Sequence, residues 1–331
     1  MQGKAKFEKL LSQRQKLKND SDKNLNQSVI ISDGAMGTEL MKHTESEYDT
    51  PLELNLRFPE NVSKVHENYL SSGCNIINTN TFCANRLYLK KQGLEDKVEE
   101  INVKGVELAK KARADFLTNQ TASQEKNKDI IITGSVGPTG SEKAIFLDDE
   151  DNKTRVKKAF SEQIDLLIKG GVDIITFETF SYHKELALAI EAVKEENIPY
   201  FVNMTFTNPT TTDYGSTVKH LAKLINQNKK ENLLAAGINC ITPKSDFRKT
   251  WKKLIKELEV QLPISILFNA GEPQLNKETG NMYYPEDENY YEEIKTFLAH
   301  MSKKDRSCII GGCCGTNPKT ITNLKDMIGL S

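Results

Sequence analysis

Eight short apolar runs most restrict what this chain can fold into. Each leads through a glycine-rich or polar stretch into a segment of helical period. The runs are Val29–Ser32, Asn75–Asn78, Ile130–Gly134, Val172–Phe177, Tyr200–Met204, Leu234–Ile238, Ile264–Phe268 and Cys308–Ile310. Helices are expected at about 60–72, 97–117, 154–169, 183–196, 216–229, 245–260, 287–302 and 318–328. The last opens with Thr316-Asn317-Pro318, a cap residue followed by proline in the first turn. Runs that are apolar throughout, without alternation, fit strands of a parallel sheet buried on both faces. Eight βα units therefore predict an α/β protein with a single closed (β/α)8 barrel. The rival is a doubly wound open sheet, which often carries G-x-G-x-x-G after its first strand. Here that strand ends Asp33-Gly34-Ala35-Met36-Gly37, which lacks the pattern.

The 331 residues accommodate one barrel of ~250 residues with decorations. Residues 1–27 are set apart as an N-terminal helical extension, and 28–331 form the barrel domain. Segments 118–129 and 141–153 read as polar loops, the second with the acidic run Asp148-Asp149-Glu150-Asp151. Lys plus Arg total 45 and Asp plus Glu 46, a balance that offers no basic field for nucleic acid. No apolar run approaches the ~20 residues of a membrane span. The first 28 residues have no signal-peptide core, so the cytoplasm is the expected compartment.

In such a barrel the chemistry gathers at the C-terminal ends of the strands. All eight expected ends carry polar, thiol or glycine residues. Cys240 ends the sixth run, and Cys313 and Cys314 follow the eighth. Neighbouring residues of a regular strand point to opposite faces. Cys313 and Cys314 therefore reach one metal only where the backbone leaves extended geometry, and Gly311, Gly312 and Gly315 permit that. Three thiolates suit Zn²⁺ and leave a fourth position open, as catalytic sites do. The plain alternative, buried cysteine as a small hydrophobe, is the reading for Cys74 and Cys308. Cys83, just past the second strand, reads as pocket wall. The histidines (His43, His66, His183, His220, His300) show no ligand spacing, and His183 alone is expected near the mouth. Asp33 and Glu178, at the first and fourth ends, are placed to hold an ammonium group. Backbone N–H groups at Gly34 and around Thr79 are placed to take a carboxylate.

The stretches DGAMGTEL (33–40), NTNTF (78–82), GSVGPTG (134–140), FETF (177–180), GINC (237–240) and GGCCGT (311–316) resemble the zinc-dependent homocysteine S-methyltransferases over about residues 29–328. DGAMGT and NTNTFCANRLYLKK look most like the homocysteine-binding module of cobalamin-dependent methionine synthase. The resemblance implies Zn²⁺ on Cys240, Cys313 and Cys314. It implies the homocysteine amino group on Asp33 and Glu178, with its carboxylate at Gly34 and Thr79. The reaction it implies is methyl transfer to the homocysteine thiolate, forming methionine. The donor is S-methylmethionine or a methyl-corrinoid carried on a separate protein. Betaine-dependent relatives carry tyrosine where this chain has Cys83, which disfavours betaine. The chain is expected to perform the homocysteine half of such chemistry without folate, cobalamin and reactivation modules. Two other classes compete. A phosphate-binding barrel would use the glycines after the seventh and eighth strands but gives no reason for Cys313-Cys314. A thiol-based zinc or redox sensor gives no reason for the Asp33/Glu178 pair.

Overall fold

A computed structural model of the chain describes residues 2–16, 28–43, 50–119, 129–140, 149–229, 232–277 and 282–329. The strands are β1 (Val29–Ile31), β2 (Ile76–Asn78), β3 (Ile131–Val136), β4 (Ile174–Phe180), β5 (Tyr200–Met204), β6 (Leu233–Ile241), β7 (Ile264–Phe268), a small hairpin β8 (Gln274–Leu275) and β9 (Met282–Tyr283), and β10 (Cys308–Gly312). The helices that follow the barrel strands include α2 (Met36–His43), α4 (Pro59–Ser71), α6 (Val98–Thr118), α7 (Glu150–Gly170), α8 (His183–Lys194), α9 (Val218–Gln227), α10 (Arg248–Glu257), α11 (Tyr290–Lys303) and α12 (Pro318–Met327). The short α3 (Leu54–Arg57) and α5 (Arg86–Lys91) decorate the connections, and α1 (Gln2–Lys16) precedes the barrel.

Eight parallel strands run in the order β1-β10-β7-β6-β5-β4-β3-β2. A parallel bridge from Ser32 to Ile76 joins the two ends. It is supported by Asp33 N–H to Ile76 O at 2.9 Å and Asn75 N–H to Ile31 O at 2.7 Å. The expected (β/α)8 barrel is the fold observed. The apolar strand faces that point outward pack under the helix ring: Ile31, Ile77, Ile132, Ile175, Ile266 and Ile310 are fully buried there. Asn317 caps α12 by accepting from Thr320 N–H at 3.2 Å, with Pro318 at its start, as the sequence anticipates. The acidic run is partly helical, contrary to the loop expected. Asp149 caps α7, and Glu150 and Asp151 lie in its first turn, where the helix dipole favours negative charge. Residues 120–128 and 141–148 fall outside the described residues.

Two strands run past their expected ends. The sequence places these at Phe177 and Ile238, whereas β4 continues to Phe180 and β6 to Ile241. Each carries one extra residue against its neighbour. In β4, Phe177 pairs Val202 and Phe180 pairs Met204; in β6, Asn239 pairs Leu267 and Ile241 pairs Phe268. Polar residues that read as strand ends are β-bulges inside strands.

The first helix closes the opposite end of the barrel. Phe7 and Leu10, one helical turn apart, cluster with Ile30, Ile76, Ile131, Ile174, Phe201, Leu234, Ala235 and Ile309, residues at or near the starts of seven strands. The Phe7 and Phe201 rings sit 5.1 Å apart. A Cβ on Gly3 would lie 1.8 Å from Asp173 O, so α1 rests directly on the start of β4. Asp173 also pairs with Lys6 and with Arg113 at 2.9 Å. No helix among the described residues is long and apolar enough to cross a membrane.

Candidate active site

The β6 bulge sets the first thiol. Cys240 is the extra residue, with φ at 54°, a left-handed conformation that costs a non-glycine residue about 1–3 kcal/mol. β10 stops at Gly312, so Cys313 and Cys314 lie in the turn beyond it. That turn is pinned from several sides. Cys313 N–H donates to Phe268 O at 2.7 Å, and Ala270 N–H to Cys314 O at 2.8 Å. Thr316 Oγ1 donates to Cys313 O at 2.7 Å, and Gly315 N–H to Thr38 Oγ1 at 3.1 Å. Gly315 has φ at +79°, and a Cβ there would meet the Tyr284 Cβ at 2.3 Å. With extended geometry broken, both adjacent side chains turn toward β6. The three sulfurs lie within 4.8 Å of one another. The Cys240–Cys314 separation is 3.7 Å. Two sulfurs on a tetrahedral Zn²⁺ at ≈2.3 Å each would be about 3.8 Å apart.

Hydrogen bonds among the thiols converge on Cys314. Donations from Cys240 and Cys313 hold it down at about 3 against burial, with help from Tyr284. Cys313 is pushed well up by its hydrogen bonds with Cys240 and Cys314 and by burial. Cys240 is lowered by its bond with Cys313, but its bond with Cys314 and its burial outweigh that and push it up. β7 lies between the two thiol-bearing strands. Just past its end the buried Asn269 carries an Oδ1 with no hydrogen-bond partner among the described residues.

Asp33 is buried and Glu178 half-buried. Asp33 Oδ2 accepts from Asn78 N–H at 2.7 Å and Oδ1 from the Asn78 amide at 2.6 Å. Burial raises Asp33 to about 7; the Asn78 bonds oppose this, and Glu178 nearby adds to it. Glu178 accepts from Ser135 Oγ. Burial raises it to about 7 as well, against that hydrogen bond and with a contribution from Cys314. Two desolvated acids, Asp33 raised further by Glu178 and Glu178 by Cys314, form a cation-seeking pair beside the sulfurs. Gly34 lies where the chain enters α2, packed so closely that a Cβ would meet Thr316 Oγ1 at 2.7 Å and Tyr69 Oη at 2.8 Å. Thr79 N–H is engaged with Thr133 O at 2.9 Å, because the β2–β3 ladder runs one residue beyond β2. Its Oγ1 sits 2.6 Å from Thr81 Oγ1.

Asn78, Ser135 and Tyr284 carry no role in the sequence pattern, and Thr179 and Asn239 enter it only as polar residues at strand ends. Ser and Asn at strand ends are ordinary turn formers, although NTNTF and GSVGPTG contain two of these residues. Cys83 is buried and lies outside the thiol trio, and a Cβ on Gly137 would meet its Sγ at 2.7 Å. Burial pushes its thiol well up. His183 is not alone in its region, because the His220 ring stacks on it at 4.1 Å.

A closed barrel that gathers thiols and desolvated carboxylates at the C-terminal ends of its strands has the layout of a barrel enzyme. The homocysteine S-methyltransferase family model matches residues 30–328. The chain belongs to that family and is a methyltransferase. It is 29% identical over 321 residues to Homocysteine S-methyltransferase 3 of Arabidopsis thaliana, a match covering 88% of this chain and 87% of the relative. It is 27% identical over 310 residues to the methionine synthase of Mycobacterium leprae (strain TN), covering 90% of this chain and 24% of that longer protein. The metallated form of the homocysteine methyltransferase MmuM from Escherichia coli shares the fold, with TM-score 0.73 and 21% identity over 94% of this chain and 98% of that one.

Proposed function

We propose that the protein transfers a methyl group to the sulfur of homocysteine, forming methionine, at a zinc site made by Cys240, Cys313 and Cys314. The observation that carries this reading is the convergence of three sulfurs within 4.8 Å beside two carboxylates, Asp33 buried and Glu178 half-buried. The donor set fits zinc in number, softness and spacing, and leaves a fourth position open for substrate. When bound, zinc supplies the Lewis acidity that keeps a substrate thiol deprotonated near neutral pH.

The chain's own residues do the rest. Asp33 and Glu178 receive the homocysteine ammonium, whose charge offsets the desolvation that raises both acids. Gly34, at the N-terminal end of α2, meets the carboxylate, where the helix dipole favours an anion. The Thr79 turn lies beside it and contributes shape, since its own N–H is engaged. The thiolate then attacks the donor's methyl carbon in line. A carbon–sulfur bond forms as the bond from that carbon to the leaving atom breaks. The donor is S-methylmethionine or a methyl-corrinoid on a separate protein. Residues 28–331 supply the site, residues 1–27 add the helix that floors the barrel, and the cytoplasm is the compartment of action. The test is methionine formation from homocysteine with S-methylmethionine and, separately, with methylcobalamin. Methionine from either donor supports the reading and identifies the donor class. No methionine from either, with zinc-replete protein, overturns it.

A further inference from the structure

The two bulges that set the site are tied to each other. Thr179 in β4 and Cys240 in β6 are the left-handed residues of those bulges, with φ at 61° and 54°. Thr179 is β-branched, and a β-branched residue in that region is an outlier that its surroundings must hold. The holding group is Asn239, fully buried. Its Oδ1 accepts from Thr179 N–H at 2.8 Å, and its Nδ2 donates to Thr179 Oγ1 at 2.8 Å. Thr205, just past the intervening β5, adds a second tie. Its N–H donates to Phe180 O at 3.0 Å and its Oγ1 to Cys240 O at 3.1 Å. The latch thus joins the residue after Glu178 to the residue before Cys240.

We propose that Asn239 and Thr179 are positioning residues that fix the span between the Glu178 carboxylate and the Cys240 sulfur, and so match the site to a thiol carrying an ammonium group at homocysteine's distance. The inference rests on the homocysteine reading of the site. Only a side chain of asparagine's length that both accepts and donates can close this pair. A strand pairing alone would leave each bulge free to relax by itself. With the latch closed, a shift of one bulge drags the other, and sulfur and ammonium sites keep their register.

The test compares homocysteine with its desamino analogue, 4-mercaptobutyrate, in wild type, Asn239→Leu, Thr179→Val and Thr179→Ser. Dissociation constants come from calorimetry, and zinc affinity from competition with a chelator. Asn239→Leu removes both bonds, and the preference for homocysteine over the analogue is expected to fall about ten-fold or more, with zinc bound about ten-fold more weakly. Thr179→Val loses one bond and should fall between, while Thr179→Ser keeps the hydroxyl and should stay near wild type. Equal weakening toward both thiols, or an unchanged preference in Thr179→Val, overturns the proposal. Should Asn239→Leu fail to fold, the Thr179 pair decides the matter. A wild-type protein that holds no zinc or does not prefer homocysteine overturns the underlying reading instead.

Discussion

Replacing Ser135 with alanine tests whether Glu178 works as an ammonium receptor. Ser135 Oγ donates to the Glu178 carboxylate from a fully buried position on β3. The backbone is not at stake: Ser135 N–H is held by Thr79 Oγ1 at 3.1 Å and its carbonyl by Thr81 Oγ1 at 2.8 Å. Glu178 is raised to about 7 by burial, with this hydrogen bond opposing the rise. Its ionised form is therefore the form above that pH, and removing the donor moves ionisation to still higher pH. A hydrogen bond to an ionised group contributes about 1.5–3 kcal/mol. At about 1.4 kcal/mol per decade, the ionised form in the variant is disfavoured about ten-fold to a hundred-fold. Homocysteine should therefore bind about ten-fold more weakly at pH 7, and the deficit should shrink as the pH is raised to 8.5. The assay is calorimetric binding, or KM in the methyl-transfer assay, across pH 6.5–8.5, with 4-mercaptobutyrate as the control that needs no ammonium receptor. A deficit that is absent at pH 7, independent of pH, or equal for both thiols refutes the assignment.

Three further outcomes follow from the same geometry. Asp33 and Glu178 both titrate at about 7. Homocysteine binding at pH 7 should therefore release about one proton more than binding of 4-mercaptobutyrate, read by calorimetry in buffers of different ionisation enthalpy; equal release contradicts the ammonium site. Phe7→Ala should lower stability by about 3–5 kcal/mol in urea titrations while zinc content stays unchanged, because the floor and the thiols occupy opposite ends of the barrel; a loss below about 1 kcal/mol would show that α1 is not part of the core. Gly315→Ala forces a side chain into a φ of +79° against Tyr284 and should speed zinc loss to a chelator; wild-type retention would mean the turn is not held as described.

The barrel is legible in the sequence because each strand is a continuous apolar run closed by turn chemistry, and that pattern survives small shifts of boundary. The thiol site is legible for a different reason: Gly-Gly-Cys-Cys-Gly is too unusual to be packing. What escapes is anything set by one residue. A bulge adds a single position to β4 and to β6 without disturbing the apolar pattern, so Glu178 and Cys240 read as lying past strands that in fact enclose them. Asn239 and Thr179 look like turn formers until they are seen bonded across β5. The role of α1 depends on Phe7 and Leu10 meeting seven strands distant in sequence, a non-local contact that a short, mostly polar helix does not announce. Thr79 illustrates the limit at one atom: its position is as expected, but its N–H belongs to the ladder.

The central claim is that Cys240, Cys313 and Cys314 together hold the zinc on which methyl transfer depends. Metal analysis of freshly purified wild-type protein and of Cys240→Ser, run beside the methionine-forming assay, tests it most directly. The account predicts about one zinc per chain in the wild type, and in the variant neither stoichiometric zinc nor activity. Full activity in Cys240→Ser, or an active wild-type protein without zinc, would contradict it.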